Sequence, residues 1–408
     1  MIESENNRIY VKTNNGNRII STLNKIIPIV SIFMLVYLPT SSNGEIYSSA
    51  WMIFVWSIAA IIGITLLVIS KNKNYVKMLL IFLSVTIYLL IITIVVLNLN
   101  IGARISIARI APVIALLILF TLKIRCEIKF TFMSKLVDVF FITMIIWNSL
   151  IVLDVPIIEV FTTKYYSQYY QNALFYSLYS NKPIMSFGVH TYASYIYVIF
   201  FYMSYHTAIV TKRKRNYFYC IAAIVFTFML TSNSSLIYAI IMSIMYLRLI
   251  KNKPFFTFGV ILLGVLVLAY YSSFIIENYK MISQSNLNGF IARYFGENIV
   301  FRENIEYLKN YYAVGFNIID RLNYSDSGYM LYLTMGNIPL LVVVYYLVYK
   351  FFKNNLRNQY SLFIIFIVLS FEVALPATFN YRFFYIAIFT IYYFRSLDAY
   401  KAIKFSLQ

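Results

Sequence analysis

The sequence predicts an all-α fold, a polytopic membrane bundle of about twelve transmembrane helices with a large extracellular loop containing short amphipathic helices. Three observations carry this. Of 408 residues, 61% are hydrophobic and only 12% are charged, against roughly 25% charged in a soluble domain. The apolar residues gather into runs that can cross a bilayer, since about 20 residues rising 1.5 Å each span about 30 Å with every backbone group bonded internally. The 34 Lys and Arg fall in small clusters between those runs, the pattern that orients membrane helices.

In chain order the predicted spans are 19–38, 50–69, 78–97, 105–122, 136–155, 191–210, 217–231, 234–250, 255–276, 328–349, 360–378 and 381–397. The seventh and eighth are short and separated only by Ser232, Asn233 and Ser234. The first reads as a retained span, because no small-residue cleavage site follows it. With both termini cytoplasmic, the inner segments hold Arg8, Lys12, Arg18 and Lys25; Lys71, Lys73 and Lys77; Lys123, Arg125, Lys129 and Lys135; Lys212, Arg213, Lys214 and Arg215; Arg248, Lys251 and Lys253; Lys350, Lys353 and Arg357; and Arg395, Lys401 and Lys404. These are 24 of the 34 basic residues, so the positive-inside rule selects this orientation.

The net charge of +19 is spread through these clusters and not gathered on one surface, which argues against a nucleic-acid partner. Cys126 and Cys220 lie in no metal-ligand spacing, so neither disulfides nor structural zinc are expected. The chain reads as one integral membrane domain, 1–408, with two long external segments. Residues 156–190 are rich in Tyr, which suits a membrane interface. Residues 277–327 carry a predicted amphipathic helix on which Phe301, Ile305, Leu308 and Tyr312 recur at helical spacing.

No P-loop, dinucleotide fingerprint, H-E-x-x-H or nucleophile elbow is present, so no cofactor or metal is called for. Long loops, arginines and carboxylates collect instead on the outer side, and chemistry is expected there. Asp326 precedes the apolar run that starts at Gly328, where it reads either as a helix cap or as a catalytic carboxylate. Arg293 and Arg302 precede it in the same loop and offer guanidinium forks for phosphate, or else form a solvated helix face. Arg104 and Arg109 lie on the fourth span, and Glu372 in the eleventh is the candidate ion-pair partner of Arg109. His190 stands at an external helix entrance, where an imidazole can act as acid or base. His206, near the cytoplasmic end of the same span, reads as structural.

Phe187, Gly188, Val189, His190, Thr191, Tyr192 and Ala193 resemble the F-G-x-H-[ST]-x-A stretch of capsular and exopolysaccharide polymerases of the Wzy type in Gram-positive bacteria. Arg302 to Tyr312, Gly315-Phe316 and Tyr324-Ser325-Asp326-Ser327-Gly328-Tyr329 resemble the arginine-rich helix, glycine turn and helix entry that close that family's external loop. The family is similar to the O-antigen ligases, which place a His near the end of this loop where Asp326 stands here. The resemblance implies a glycosyltransferase that moves a growing glycan from undecaprenyl pyrophosphate to the next lipid-linked repeat unit at the outer face. Catalysis then falls to Asp326, His190 and Arg302, and substrate binding to Arg293, Arg109, Arg104, Tyr324 and Glu372. The implied partners are undecaprenyl-pyrophosphate-linked oligosaccharides, membrane lipids, and flippase and chain-length regulator proteins. A lipid-linked oligosaccharide flippase and an O-antigen-type ligase remain the alternatives.

Overall fold

A computed structural model describes residues 15–38, 49–70, 80, 83–84, 87–88, 91, 113, 115–120, 122–124, 128–158, 182–187, 190–230, 232–250, 327–373 and 375–406. Among the described residues the fold is all-helical, with no strand. Its helices are α1 (Asn15–Val36), α2 (Ser49–Ser70), α3 (Phe130–Val152), α4 (His190–Thr211), α5 (Lys214–Met229), α6 (Asn233–Ile250), α7 (Gly328–Asn355), α8 (Asn358–Phe371) and α9 (Tyr381–Ser406). Of these, α3, α4 and α7 are long and apolar enough to cross a membrane. Most of the predicted spans 78–97 and 105–122, all of 255–276, and the amphipathic helix at 301–312 lie outside the described residues.

Helices α4 and α9 form the centre of the bundle. Helix α9 packs against α1, α2, α3 and α4, and α4 packs against α5, α6, α8 and α9. Their inward residues are aromatic, and the rings interlock. Phe140 stacks on Phe200 at 3.5 Å between centroids, and Phe200 on Phe389 at 5.7 Å. Aromatic pairs of this kind contribute about 0.5–1.5 kcal/mol each beyond their burial. The outer helices turn apolar stripes outward at helical spacing: Val139, Ile142 and Ile146 on α3, and Ile237, Ile240, Ile244 and Leu247 on α6. Exposed aliphatic faces this continuous are unfavourable in water and suit hydrocarbon.

One end of the bundle is basic. Arg215 pairs with Asp138 at 2.8 Å and Arg357 with Asp398 at 3.1 Å. Arg395 donates to the carbonyls of Asn355 and Ile124, and Lys404 to that of Val210. The helix ends gathered here are the ones predicted to share the cytoplasmic side. His206 lies towards this end in an aromatic box of Tyr202, Tyr205, Tyr360 and Phe394, with ring centroids 4.5 to 5.8 Å away.

Several boundaries differ from the sequence expectation. Helix α3 starts at Phe130 instead of 136, and α9 runs on to Ser406, because polar residues at the basic end extend the helices beyond their apolar runs. Helix α8 stops at Phe371 instead of 378. The larger correction concerns α7. Its rings of Tyr329 and Tyr345 lie 4.9 Å apart and those of Tyr332 and Tyr345 5.8 Å apart. In a continuous α-helix, 16 residues would separate the first pair by about 24 Å. The chain therefore folds back at Gly336–Asn337, where both residues leave helical geometry and Asn337 takes φ 54°. Residues 328–335 form a short limb laid against the long limb 338–355, so the span predicted at 328–349 is a helical hairpin. The bend's polar groups are satisfied: Tyr88 donates to the Gly336 carbonyl at 2.6 Å, and the Asn337 side chain accepts from the Ile338 amide at 2.7 Å. Pro339 lacks an N–H and so needs no partner there.

Candidate functional site

At the end opposite the basic rim, polar groups from four elements converge inside the bundle. The first turn of α4 supplies His190 and Tyr192. The short limb of α7 supplies Tyr329 and Tyr332, the end of α8 supplies Glu372, and the first turn of α9 supplies Arg382. Tyr192, Tyr332, Glu372 and Arg382 are fully buried, while His190 is half-buried at the rim.

Glu372 sits immediately after α8 and holds four contacts. Its carboxylate accepts from the Tyr345 hydroxyl at 2.8 Å and from the Thr378 amide at 2.5 Å. Its carbonyl accepts from the Gly328 amide at 2.8 Å and the Ser327 hydroxyl at 3.2 Å. Tyr332 meets the Thr378 hydroxyl at 3.0 Å, and Tyr329 donates to the Leu369 carbonyl at 2.7 Å. The short limb is thereby tied to the turn at 372–378 along its length. A Cβ on Gly328 would overlap the Glu372 carboxylate, so only glycine permits this approach.

Arg382 is another buried charge at this end. It donates to the carbonyls of Leu38 and Ser186 and, at 3.2 Å, to the Tyr381 hydroxyl. Its guanidinium lies 4.8 Å from the centre of the Phe187 ring. These contacts bring the end of α1 and the strap 182–187 onto α9. The strap is buried although it is not helical, so its backbone groups need partners. Asn148 accepts from the Met185 amide at 3.0 Å, Tyr197 donates to the Pro183 carbonyl at 2.7 Å, and Asn148 also donates to Tyr197 at 2.7 Å. Met185 takes φ 47°, a left-handed conformation costly for a residue with a Cβ, held by those bonds. The last part of the predicted loop 156–190 is thus an interior strap, while 159–181 lies outside the described residues. Lys182 opens the strap, and its burial holds the ammonium below the usual lysine range. Its charge reaches His190.

Tyr192, fully buried in the first turn of α4, feels the charges of both Arg382 and Glu372. Among the described residues its hydroxyl is buried without a hydrogen-bond partner.

Of the residues singled out from sequence, His190 and Glu372 come to this same end. Asp326, Arg302, Arg293, Arg109, Arg104 and Tyr324 lie outside the described residues. Asp326 immediately precedes Ser327, which occupies the N-cap position of α7 in extended geometry. Glu372 meets tyrosine and backbone groups, and its predicted partner Arg109 is among the residues not described. Sequence reasoning passed over Arg382 and Tyr192. Their signal was present: Arg382 opens an apolar run that continues to Arg395, and a charge at the edge of such a run is expensive unless used.

No protein-family profile, curated protein or solved structure matches this chain.

Proposed function

We propose that the chain is a multi-pass cell-membrane glycosyltransferase, a polymerase of lipid-linked oligosaccharide repeat units, working at the face opposite its basic, cytoplasmic rim with both termini inside. One observation carries the reading. The described residues of the two stretches that resemble the polysaccharide polymerases, Phe187 and His190–Ala193 of one and Ser327–Tyr329 of the other, come to the same end of the bundle as the buried cluster. Phe187 lies under Arg382, Gly328 lies against Glu372, and Tyr192 is fully buried in the first turn of α4. Residues far apart in sequence have reason to meet at one end of a bundle when they serve one site.

The chemistry follows. The acceptor sugar's hydroxyl oxygen attacks the anomeric carbon of the donor glycan, the bond from that carbon to the pyrophosphate oxygen breaks, and the electron pair leaves with undecaprenyl pyrophosphate. The hydroxyl proton passes to Asp326 or His190 as general base. Arg302 and Arg293, with Arg104 and Arg109 nearby in the reading, stabilise the charge that develops on the leaving pyrophosphate. The prenyl chains lie along the apolar outer stripes.

The transporter alternative needs a polar path through mid-membrane, and among the described residues the centre between α3, α4 and α9 is filled by Phe140, Phe200 and Phe389. The test is the lipid-linked material in a strain lacking the chain. Single repeat units accumulating on the outer leaflet are expected. Units trapped on the inner leaflet would identify a flippase, and finished polymer left on the lipid carrier a ligase.

A further inference from the structure

We propose that Glu372, which the resemblance assigns to substrate binding, is instead a positioning residue that touches no substrate and acts through the α7 hairpin, fixing where Ser327 and Gly328 join the bundle at the end of the predicted external segment 277–327. The inference rests on the polymerase reading and adds to it a residue whose carboxylate is used for geometry. Ser327, the first described residue after Ile250, is 2% exposed, and both Ser327 and Gly328 donate to the Glu372 carbonyl. The carboxylate of the same residue holds Thr378 on one side and Tyr345, on the long limb of the hairpin, on the other. Both limbs and the turn before α9 thus meet at one residue: the short limb bonds its backbone carbonyl, and its carboxylate fixes that carbonyl by holding the long limb and the turn. Asp326 is covalently one residue from that anchor, and Tyr324 three. A base must lie within hydrogen-bond reach of its proton, and displacement of about 1 Å can lower a rate about 100-fold. The hairpin bend gives the anchor its importance. With only eight residues in the short limb, 328–335, and a break after it, the long limb cannot hold Gly328 in place by helix continuity.

The role makes a distinctive demand on substitutions. A glutamine preserves both contacts, because its carbonyl oxygen accepts from the Thr378 amide and its NH2 donates to the Tyr345 hydroxyl, which can accept. Alanine preserves neither. Gly328→Ala should disturb the anchor from the other side, since its Cβ occupies the space of the carboxylate.

Nitroxide labels at Leu333→Cys and Phe366→Cys, with Cys126 and Cys220 replaced by Ala, report the distance between the short limb and α8 by pulsed electron resonance. The purified full chain in nanodiscs is assayed alongside for polymer formation. The expected result is one narrow distance and a near-parental rate in Glu372→Gln. Glu372→Ala and Gly328→Ala should show a broadened distance, a rate at saturating donor down about 100-fold and little change in donor KM. If Glu372→Gln loses as much activity as Glu372→Ala while its distance stays narrow, the carboxylate does chemistry or binds substrate and the proposal is overturned. It is equally overturned if Glu372→Ala leaves the distance narrow, or broadens it without slowing polymer formation. If the parental chain makes no polymer at all, the functional reading fails, and the distance measurement still decides whether Glu372 fixes the entry point.

Discussion

Replacing Arg382 with methionine keeps a long, unbranched side chain in the first turn of α9 and removes its donors and charge. The Ser186 carbonyl loses a hydrogen bond of 3.0 Å and the Leu38 carbonyl one of its donors, keeping the Tyr381 hydroxyl at 3.4 Å. A buried acceptor left without its partner costs about 1–3 kcal/mol, and the lost contact with the Phe187 ring, 4.8 Å away, adds about 1–2 kcal/mol in a desolvated site. Removal of a desolvated charge offsets part of this. The net expectation is a loss of about 3 kcal/mol, and at about 2 °C per kcal/mol for a long chain this lowers Tm by about 6 °C. Arg382→Lys keeps the charge but is shorter and lacks the Nε–H that donates to Tyr381, so its shift should be about half as large. Thermal unfolding of the detergent-solubilised chain, followed by tryptophan fluorescence, reads both. A methionine variant that melts within about 1 °C of the parent would refute the view that the guanidinium clamps α1, the strap and α9 together.

Further expectations follow from the bend, the topology and the candidate base. Asn337 holds φ 54°, so Asn337→Gly should be tolerated, whereas Asn337→Val should lose about 1–3 kcal/mol in the same melt; equal behaviour of the two would argue against backbone strain at the bend. In a cysteine-free background, Asn288→Cys is expected to react with an impermeant maleimide applied outside and Lys214→Cys to resist it; the reverse pattern contradicts the orientation. Asp326→Asn is expected to abolish polymer while leaving expression intact and single repeat units on the lipid carrier, and normal polymer from that variant together with none from His190→Gln would make His190 the base.

How much of this was legible in the sequence depended on the residue pattern. Helices α4 and α9 were legible because their apolar runs begin and end with polar residues, and the observed starts, His190 and Tyr381, match the expected ones to within a residue. The α7 hairpin was not, because both limbs belong to one apolar run of ordinary spanning length. Its signal was Gly336-Asn337-Ile338-Pro339, a cluster of breakers inside that run. The end of α8 was missed for a related reason: Val373, Ala374 and Leu375 continue the hydropathy after the backbone has turned at Glu372 to meet Ser327 and Gly328. Hydropathy measures where side chains prefer to be, and these residues stay apolar whether or not the backbone is helical. At the site, the first stretch and Glu372 were visible as local oddities. Their convergence at one end of the bundle beside Arg382 was not, since it depends on which helices pack together, and that is set by the aromatic surfaces of α4 and α9.

The central claim is that this chain joins lipid-linked repeat units, and purified protein in liposomes with one defined undecaprenyl-pyrophosphate-linked oligosaccharide tests it most directly. Products separated by size should form a ladder rising by one repeat unit per step, with undecaprenyl pyrophosphate released in equal number to the bonds formed. Intact repeat units, whether left where they were or moved across the bilayer without joining, would contradict it.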